Sequence, residues 1–138
     1  MKRILLDGDV FYVEYEHFNR FRKSYYSMKT RTSPDTKTQR VQKHYVSRGI
    51  TTCELWSNSF KQFFLDMYES YCDHVIIYGI KNTTLDRIDN DKGYSKSNCR
   101  WATFKQQLNN TSRQIHYRKR HLQSTREMIY KLMTHPQS

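Results

Sequence analysis

The sequence predicts an α+β fold, in which a small strand–strand–helix core is flanked by amphipathic helices and can be preceded by an N-terminal β-hairpin. Three observations support this. Two β-prone runs flank the tight-turn residues Asp7-Gly8-Asp9 near the N-terminus. Apolar residues recur at helical spacing in two later segments. The stretch Thr83–Thr111 then combines a short β-prone run, a polar loop, a second β-prone run and a capped helix.

Two amphipathic helices are predicted before the central stretch. In the first, one apolar face recurs at i, i+3, i+7 and i+10, through Phe18, Phe21, Tyr25 and Met28. The second starts at the capping box Ser59–Gln62. Its apolar face contains Phe60, Phe63, Phe64, Met67 and Tyr71. The run Val75–Ile80 is β-prone and is predicted to lead into the central stretch as a strand.

The central stretch is predicted to bring one carboxylate close to an amide-rich helix. Leu85 and Ile88 cannot share a face of one unbroken strand, so this strand is expected to end near Asp86. Residues 90–97 form a polar loop and 98–101 a return strand. A second capping box, Thr103–Gln106, then starts a helix. On that helix Gln107 and Asn110 share one face, and Phe104 and Leu108 are expected on the buried side.

Composition indicates a basic protein with a polyanionic partner. Twenty-four Lys and Arg against 13 Asp and Glu give a net charge of +11, and such a surface attracts nucleic acid. Mean hydropathy is −0.95, and no apolar run is long enough to span a membrane. No signal peptide follows Met1, which predicts an intracellular, reduced protein. The three cysteines form no paired motif, so no structural zinc is expected.

The positive charge is concentrated before the central stretch. From Arg20 to Arg48 the chain has nine Lys and Arg and one acidic residue, Asp35, with aromatic residues interleaved. A long stretch of one sign is typical of phosphate contact, although a solvated face can have the same composition. After Thr111 the tail is also basic and could line a C-terminal helix. That tail is either a DNA-binding appendage or a solvated helix.

Asp86 is the candidate metal ligand. Mg²⁺ prefers oxygen ligands and keeps several waters, so Asp86 and an amide oxygen from Gln107 or Asn110 would suffice when phosphate completes the shell. Judged from the residues alone, one Asp near several amides is more often part of a turn than of a metal site. An EF-hand calcium loop is excluded by the spacing of its acids. The N-terminal segment LLDGDV resembles the first strand of phage-type 5′-exonucleases, but nothing downstream supports that alternative.

The segment LDRIDNDKGYSKSNCRWATFKQQLNN resembles the HNH (ββα-metal) endonucleases of bacteriophages, including free-standing homing-type enzymes. Upstream, SMKTR and YVSRGITTCELWSNSFKQFFLDM are similar to the segment that precedes the catalytic core in that group. The resemblance covers residues 25–112. It implies an N-terminal extension (1–17), a basic helical DNA-contacting region (18–75), a ββα-metal catalytic core (76–112) and a basic C-terminal tail (113–138).

The resemblance also implies roles for individual residues. Asp86 matches the first metal ligand, and Gln107 matches the helix position that supplies the last one. Asn98 matches the central Asn that ties the loop to the strands, and Asn110 an amide common on the helix face. One Mg²⁺ or Mn²⁺ per site is expected. The residues expected to bind nucleic acid are Arg20, Arg22, Lys23, Lys29, Arg31, Arg48, Arg100, Asn110, Arg118, Lys119 and Arg120.

The sequence departs from the HNH pattern at Arg87, where most members have the His that deprotonates water. Arginine stays protonated, so Arg87 is expected to clamp the phosphate instead. In a similar Asp-Arg branch a Tyr has been assigned the base role. Tyr94 is the matching candidate if its pKa is lowered, and His116 is a weaker one.

The resemblance therefore implies a metal-dependent DNA endonuclease, a cytoplasmic monomer or homodimer that nicks double-stranded DNA or cuts both strands. If the protein is phage-encoded, its location would be the host cytoplasm. A non-catalytic DNA-binding protein on a decayed HNH scaffold is the alternative, because the usual histidine is missing at Arg87.

Overall fold

The computed structural model describes residues 1–35, 39–110, 120, 127 and 128. In these residues the fold is α+β, with two small antiparallel sheets and five α-helices. In chain order the elements are β1 (Lys2–Leu6), β2 (Asp9–Val13), α1 (Tyr15–Thr32), α2 (Gln39–Val41) continued by a π-helical turn (Gln42–Val46), α3 (Glu54–Asn58), α4 (Phe60–Tyr78), a 3₁₀ turn (Ile80–Asn82), β3 (Thr84–Arg87), a 3₁₀ turn (Lys96–Asn98), β4 (Cys99–Ala102) and α5 (Phe104–Asn109). No described helix is long and apolar enough to cross a membrane.

The N-terminal hairpin forms as predicted. Strands β1 and β2 pair antiparallel from Lys2 opposite Val13 to Leu6 opposite Asp9. The two linking residues have positive φ, 49° at Asp7 and 85° at Gly8, which is the backbone of the tight turns that match strand twist. Glu14 then caps α1 by accepting a hydrogen bond from the backbone N–H of His17 at 2.9 Å.

Helices α1 and α4 provide most of an aromatic core. The four predicted apolar residues of α1 are its four buried ones, and Ser59 caps α4 as expected. Phe21 of α1 stacks on Phe63 of α4 with ring centroids 4.9 Å apart, and both are fully buried. Trp101 of β4 lies 5.7 Å from the Phe21 ring, so the second sheet packs on the same core.

The strand predicted at residues 75–80 is wrong. Helix α4 continues through Tyr78 and ends at Gly79, whose φ is 88°. The buried side chains of α4 continue at helical spacing to Val75, so packing prevails over the β-propensity of the run. Ile76 and Ile77 consequently point to solvent.

Strands β3 and β4 pair antiparallel, with Asp86 opposite Arg100 and Arg87 opposite Cys99. The strand extends one residue beyond the predicted end at Asp86. The capping box that starts α5 is confirmed: Thr103 and Gln106 exchange side-chain and backbone hydrogen bonds. The predicted buried side of α5 is wrong, because Phe104 and Leu108 are exposed.

The loop between β3 and β4 is docked on the segment that precedes α3. The backbone N–H of Tyr94 donates to the carbonyl of Thr51 at 2.8 Å, and the N–H of Cys53 donates to the carbonyl of Tyr94 at 2.8 Å. Gly93 sits so close to the Thr51 carbonyl that a Cβ atom would collide with it. Only glycine allows this approach. The loop is therefore held against the core.

Candidate functional site

Asp86 lies at the junction of β3 and α5, with 7% of its surface exposed. Its Oδ2 atom accepts hydrogen bonds from Nε of Arg100 at 3.1 Å and from Nδ2 of Asn110 at 3.0 Å. Oδ1 accepts no hydrogen bond from the described residues. One carboxylate oxygen, Oδ2, is thus held in place by two donors.

Asn110 follows α5 and turns its side chain toward the sheet. Its Nδ2 donates to Oδ2 of Asp86 and, at 2.6 Å, to the carbonyl of Arg87. Both partners are acceptors, so the amide must present its nitrogen to them and its Oδ1 elsewhere. The end of α5 and strand β3 therefore place an amide side chain next to a carboxylate.

The structure does not bring Gln107 to Asp86 in the same way. Its Nε2 donates to the carbonyl of Leu85 at 3.3 Å, and no hydrogen bond to Asp86 is present. The sequence left two amides, Gln107 and Asn110, as candidate partners of Asp86. Of these two, Asn110 is the one that forms a hydrogen bond with Asp86. Because Gln107 and Asn110 occupy the sheet-facing side of α5, Phe104 and Leu108 are directed outward.

Arg87 is buried and faces away from Asp86. Neighbouring residues of a strand point to opposite sides of the sheet, so Arg87 enters the loop side while Asp86 faces α5. Its guanidinium donates to the carbonyls of Asn90 and Lys92 at 2.7 and 2.8 Å, and to the Asn90 side chain at 2.9 Å. In this arrangement Arg87 anchors the loop.

Aromatic rings enclose the Arg87 guanidinium. The rings of Tyr45 and Tyr94 each lie 5.4 Å from its Cζ atom, which gives two cation–π contacts. The sequence did not predict a role for Tyr45, because no spacing pattern indicates that its ring contacts a distant part of the chain.

Tyr94 is 3% exposed, and burial raises the pKa of its phenol, although the neighbouring Arg31 and Arg87 oppose the shift. A general base would require the pKa to be lowered, so the environment of Tyr94 does not suit that role.

Asn98 joins the two ends of the loop. Its Oδ1 accepts from the backbone N–H of Asp89 at 2.8 Å, and its Nδ2 donates to the carbonyls of Asp89 and Gly93 at 3.1 and 2.8 Å. The backbone carbonyl of Asn98 also accepts from Ile88 at 2.7 Å. With 8% of its surface exposed, Asn98 supports the loop from inside.

The predicted basic residues divide by whether they already have a partner. Those with one, among the described residues, are Arg22 with Asn19, Lys29 with the Ser57 carbonyl, Arg31 with the Tyr94 phenol, Arg48 with Asp91 and Arg100 with Asp86. The side chains of Arg20 and Lys23 form no hydrogen bond or ion pair with any described residue. Arg120 is exposed, while Arg118, Lys119 and His116 lie outside the described residues.

No protein-family model matches the chain, and neither a curated protein nor a solved structure matches it significantly.

Proposed function

We propose that this protein is a metal-dependent DNA endonuclease, and that β3, β4 and α5 form a ββα-metal unit. The observation that carries the proposal is the contact between Asp86 and Asn110. It fixes the carboxylate of Asp86 beside the side-chain amide of Asn110, and Arg100 forms an ion pair with the same carboxylate.

These residues fit a hard divalent cation such as Mg²⁺ or Mn²⁺. Asp86 and Asn110 offer oxygen atoms, and Mg²⁺ commonly takes one or two protein oxygens, with waters and substrate phosphate completing its shell. For that reason the absence of a cluster of three or more His, Cys, Asp or Glu among the described residues is compatible with the proposal. Such an ion would stabilise negative charge on the phosphate and on the leaving oxygen.

The chain itself supplies orientation and charge. Arg100 holds Oδ2 of Asp86 through Nε, and its side chain is 44% exposed, so its terminal nitrogens can meet a phosphate. Asn98 and Arg87 keep the loop beside the site in one conformation. Tyr94 is left out as the base because burial raises its pKa.

A DNA-binding protein without catalysis is the second candidate. The observation that favours it is the Asp86–Arg100 ion pair, because an ion pair already neutralises the carboxylate without a metal. Metal dependence separates the two candidates.

Supercoiled plasmid incubated with the protein and Mg²⁺ or Mn²⁺ should become nicked or linear, and EDTA should stop the reaction. Plasmids carrying varied DNA, including the DNA that flanks the gene, should be used because the target sequence is not known. DNA that is bound in every metal but never cut would exclude the nuclease and leave the DNA-binding candidate.

Asn110→Ala should reduce cleavage about 10–100-fold, because it removes both an oxygen donor and the hydrogen bond that orients Asp86. Gln107→Ala is the matched variant: it removes an amide from the same helix face that bonds only the Leu85 carbonyl. It should change cleavage less than about fivefold. Metal titrations of both variants distinguish weakened metal binding from a slower reaction. If Gln107→Ala were the more damaging change, Asn110 would not be the ligand.

A further inference from the structure

A cleft of about 380 Å³ lies between α1, the end of α4 and β3. Four cationic side chains line it, Arg20, Lys23, Arg31 and Lys81, and no acidic side chain does. The side chains of Arg20, Lys23 and Lys81 have no ion-pair partner among the described residues. Three unpaired cations therefore line one cavity, which favours an anionic ligand there.

The cleft borders the candidate site. Leu85 and Gln107 line it; Leu85 precedes Asp86 in β3, and Gln107 lies in the last turn of α5, before its C-cap Asn110. On α1, Arg20 and Arg31 are eleven residues apart, about 16 Å along the helix axis. This row is long enough to follow several phosphates of one strand.

The interior of the cleft combines a buried phenol with apolar side chains. Tyr71 lines it although only 1% of the residue is exposed, and its phenol forms no hydrogen bond with the described residues. Burial raises the pKa of Tyr71 to about 12, so the phenol keeps its proton at neutral pH and can donate. Ile80 and Leu85 provide apolar surface beside these polar groups. A cavity of about 380 Å³ can take one phosphate or base of a single strand, whose bases are unpaired and can enter it.

We propose that the cleft between α1 and β3 binds an unpaired DNA strand, whose phosphates contact Arg20, Lys23 and Lys81 and whose inner phosphate or base edge reaches Tyr71. The inference rests on the proposed function in that it gives the nuclease a single-stranded segment next to the cut. Binding itself does not require cleavage. Arg31 contributes charge to the same cleft while it lies beside the Tyr94 phenol.

The test measures binding of the full chain in EDTA, by fluorescence anisotropy, to a labelled oligo-dT and to a duplex of equal length. The triple variant Arg20→Gln, Lys23→Gln and Lys81→Gln should weaken oligo-dT binding at least about tenfold. The slope of log K against log salt concentration should become less steep by about 0.7 for each lost phosphate contact. The charge-matched control is Arg3→Gln, Lys43→Gln and Lys105→Gln, three exposed side chains outside the cleft, and it should lose about threefold or less.

Tyr71→Phe keeps the core ring and probes the interior of the cleft without a charge change. It should weaken oligo-dT binding about threefold to tenfold and leave duplex binding unchanged. Equal losses in the cleft and control triples would overturn the inference, and so would equal losses on oligo-dT and duplex. Because the readout excludes metal, a protein that never cuts DNA can still show the cleft effect, and a cutting enzyme can lack it.

Discussion

Asp86→Asn should lower metal-dependent DNA cleavage on the order of 10³-fold while DNA binding in EDTA stays within about twofold. The substitution keeps the size of the side chain and an oxygen that can accept from Arg100 and Asn110, so the local hydrogen bonds can persist. What disappears is the negative charge next to the Asn110 amide. Single-turnover cleavage with Mg²⁺ and with Mn²⁺ measures the effect.

Asp73→Asn is the control for this experiment. Asp73 is exposed on α4, outside the β3, β4 and α5 segment that holds the candidate site, and its side chain forms no hydrogen bond or ion pair with a described residue. The Asp73→Asn variant should cut DNA at the rate of the unmodified protein. Thermal unfolding of both variants shows whether either substitution disturbs the fold. Cleavage by Asp86→Asn at the control rate would remove Asp86 from the proposed site.

Arg87→Met should destabilise the fold by about 2–4 kcal/mol, measured by urea unfolding. Three hydrogen bonds to the loop and two contacts with tyrosine rings are lost, and the Lys92 carbonyl loses its donor. Arg22→Met, at an exposed position of α1 whose guanidinium bonds only Asn19, should change stability by less than about 0.5 kcal/mol.

The two roles considered for Arg87, phosphate clamp and loop anchor, predict opposite effects of Arg87→Met on stability. A phosphate clamp would leave stability close to that of Arg22→Met and abolish cleavage. A loop anchor lowers stability, and at low temperature, where the variant is still folded, cleavage should fall less than in Asp86→Asn. Equal stability of the two methionine variants would therefore contradict the loop-anchor role.

Local patterns were sufficient where the physical cause is local. The turn at Asp7-Gly8 needs positive φ, and the buried face of α1 follows from four apolar residues at helical spacing. The capping box at Thr103 is likewise a short-range hydrogen-bond pattern. Each of these depends on residues that lie at most ten positions apart in the chain, so the sequence predicts them directly.

The run at Val75 shows where local propensity fails. Its β-branched residues favour a strand, but Val75 continues the buried stripe of α4 against the core and the helix prevails. The buried and exposed faces of α5 were also predicted the wrong way round. The face with Phe104 and Leu108 was expected to be buried, whereas the sheet offers hydrogen-bond partners to Gln107 and Asn110.

By itself, the sequence determined the α+β class, the hairpin, the two main helices, the basic charge and the choice of Asp86 as the candidate ligand. Only the tertiary structure decided which side chains meet: Asn110 contacts Asp86, and Arg87 turns away because β3 continues one residue further and alternates its faces. It also decided that Arg20, Lys23 and Lys81 share one cleft. Such encounters join residues far apart in the chain, and they depend on how the helices and strands pack.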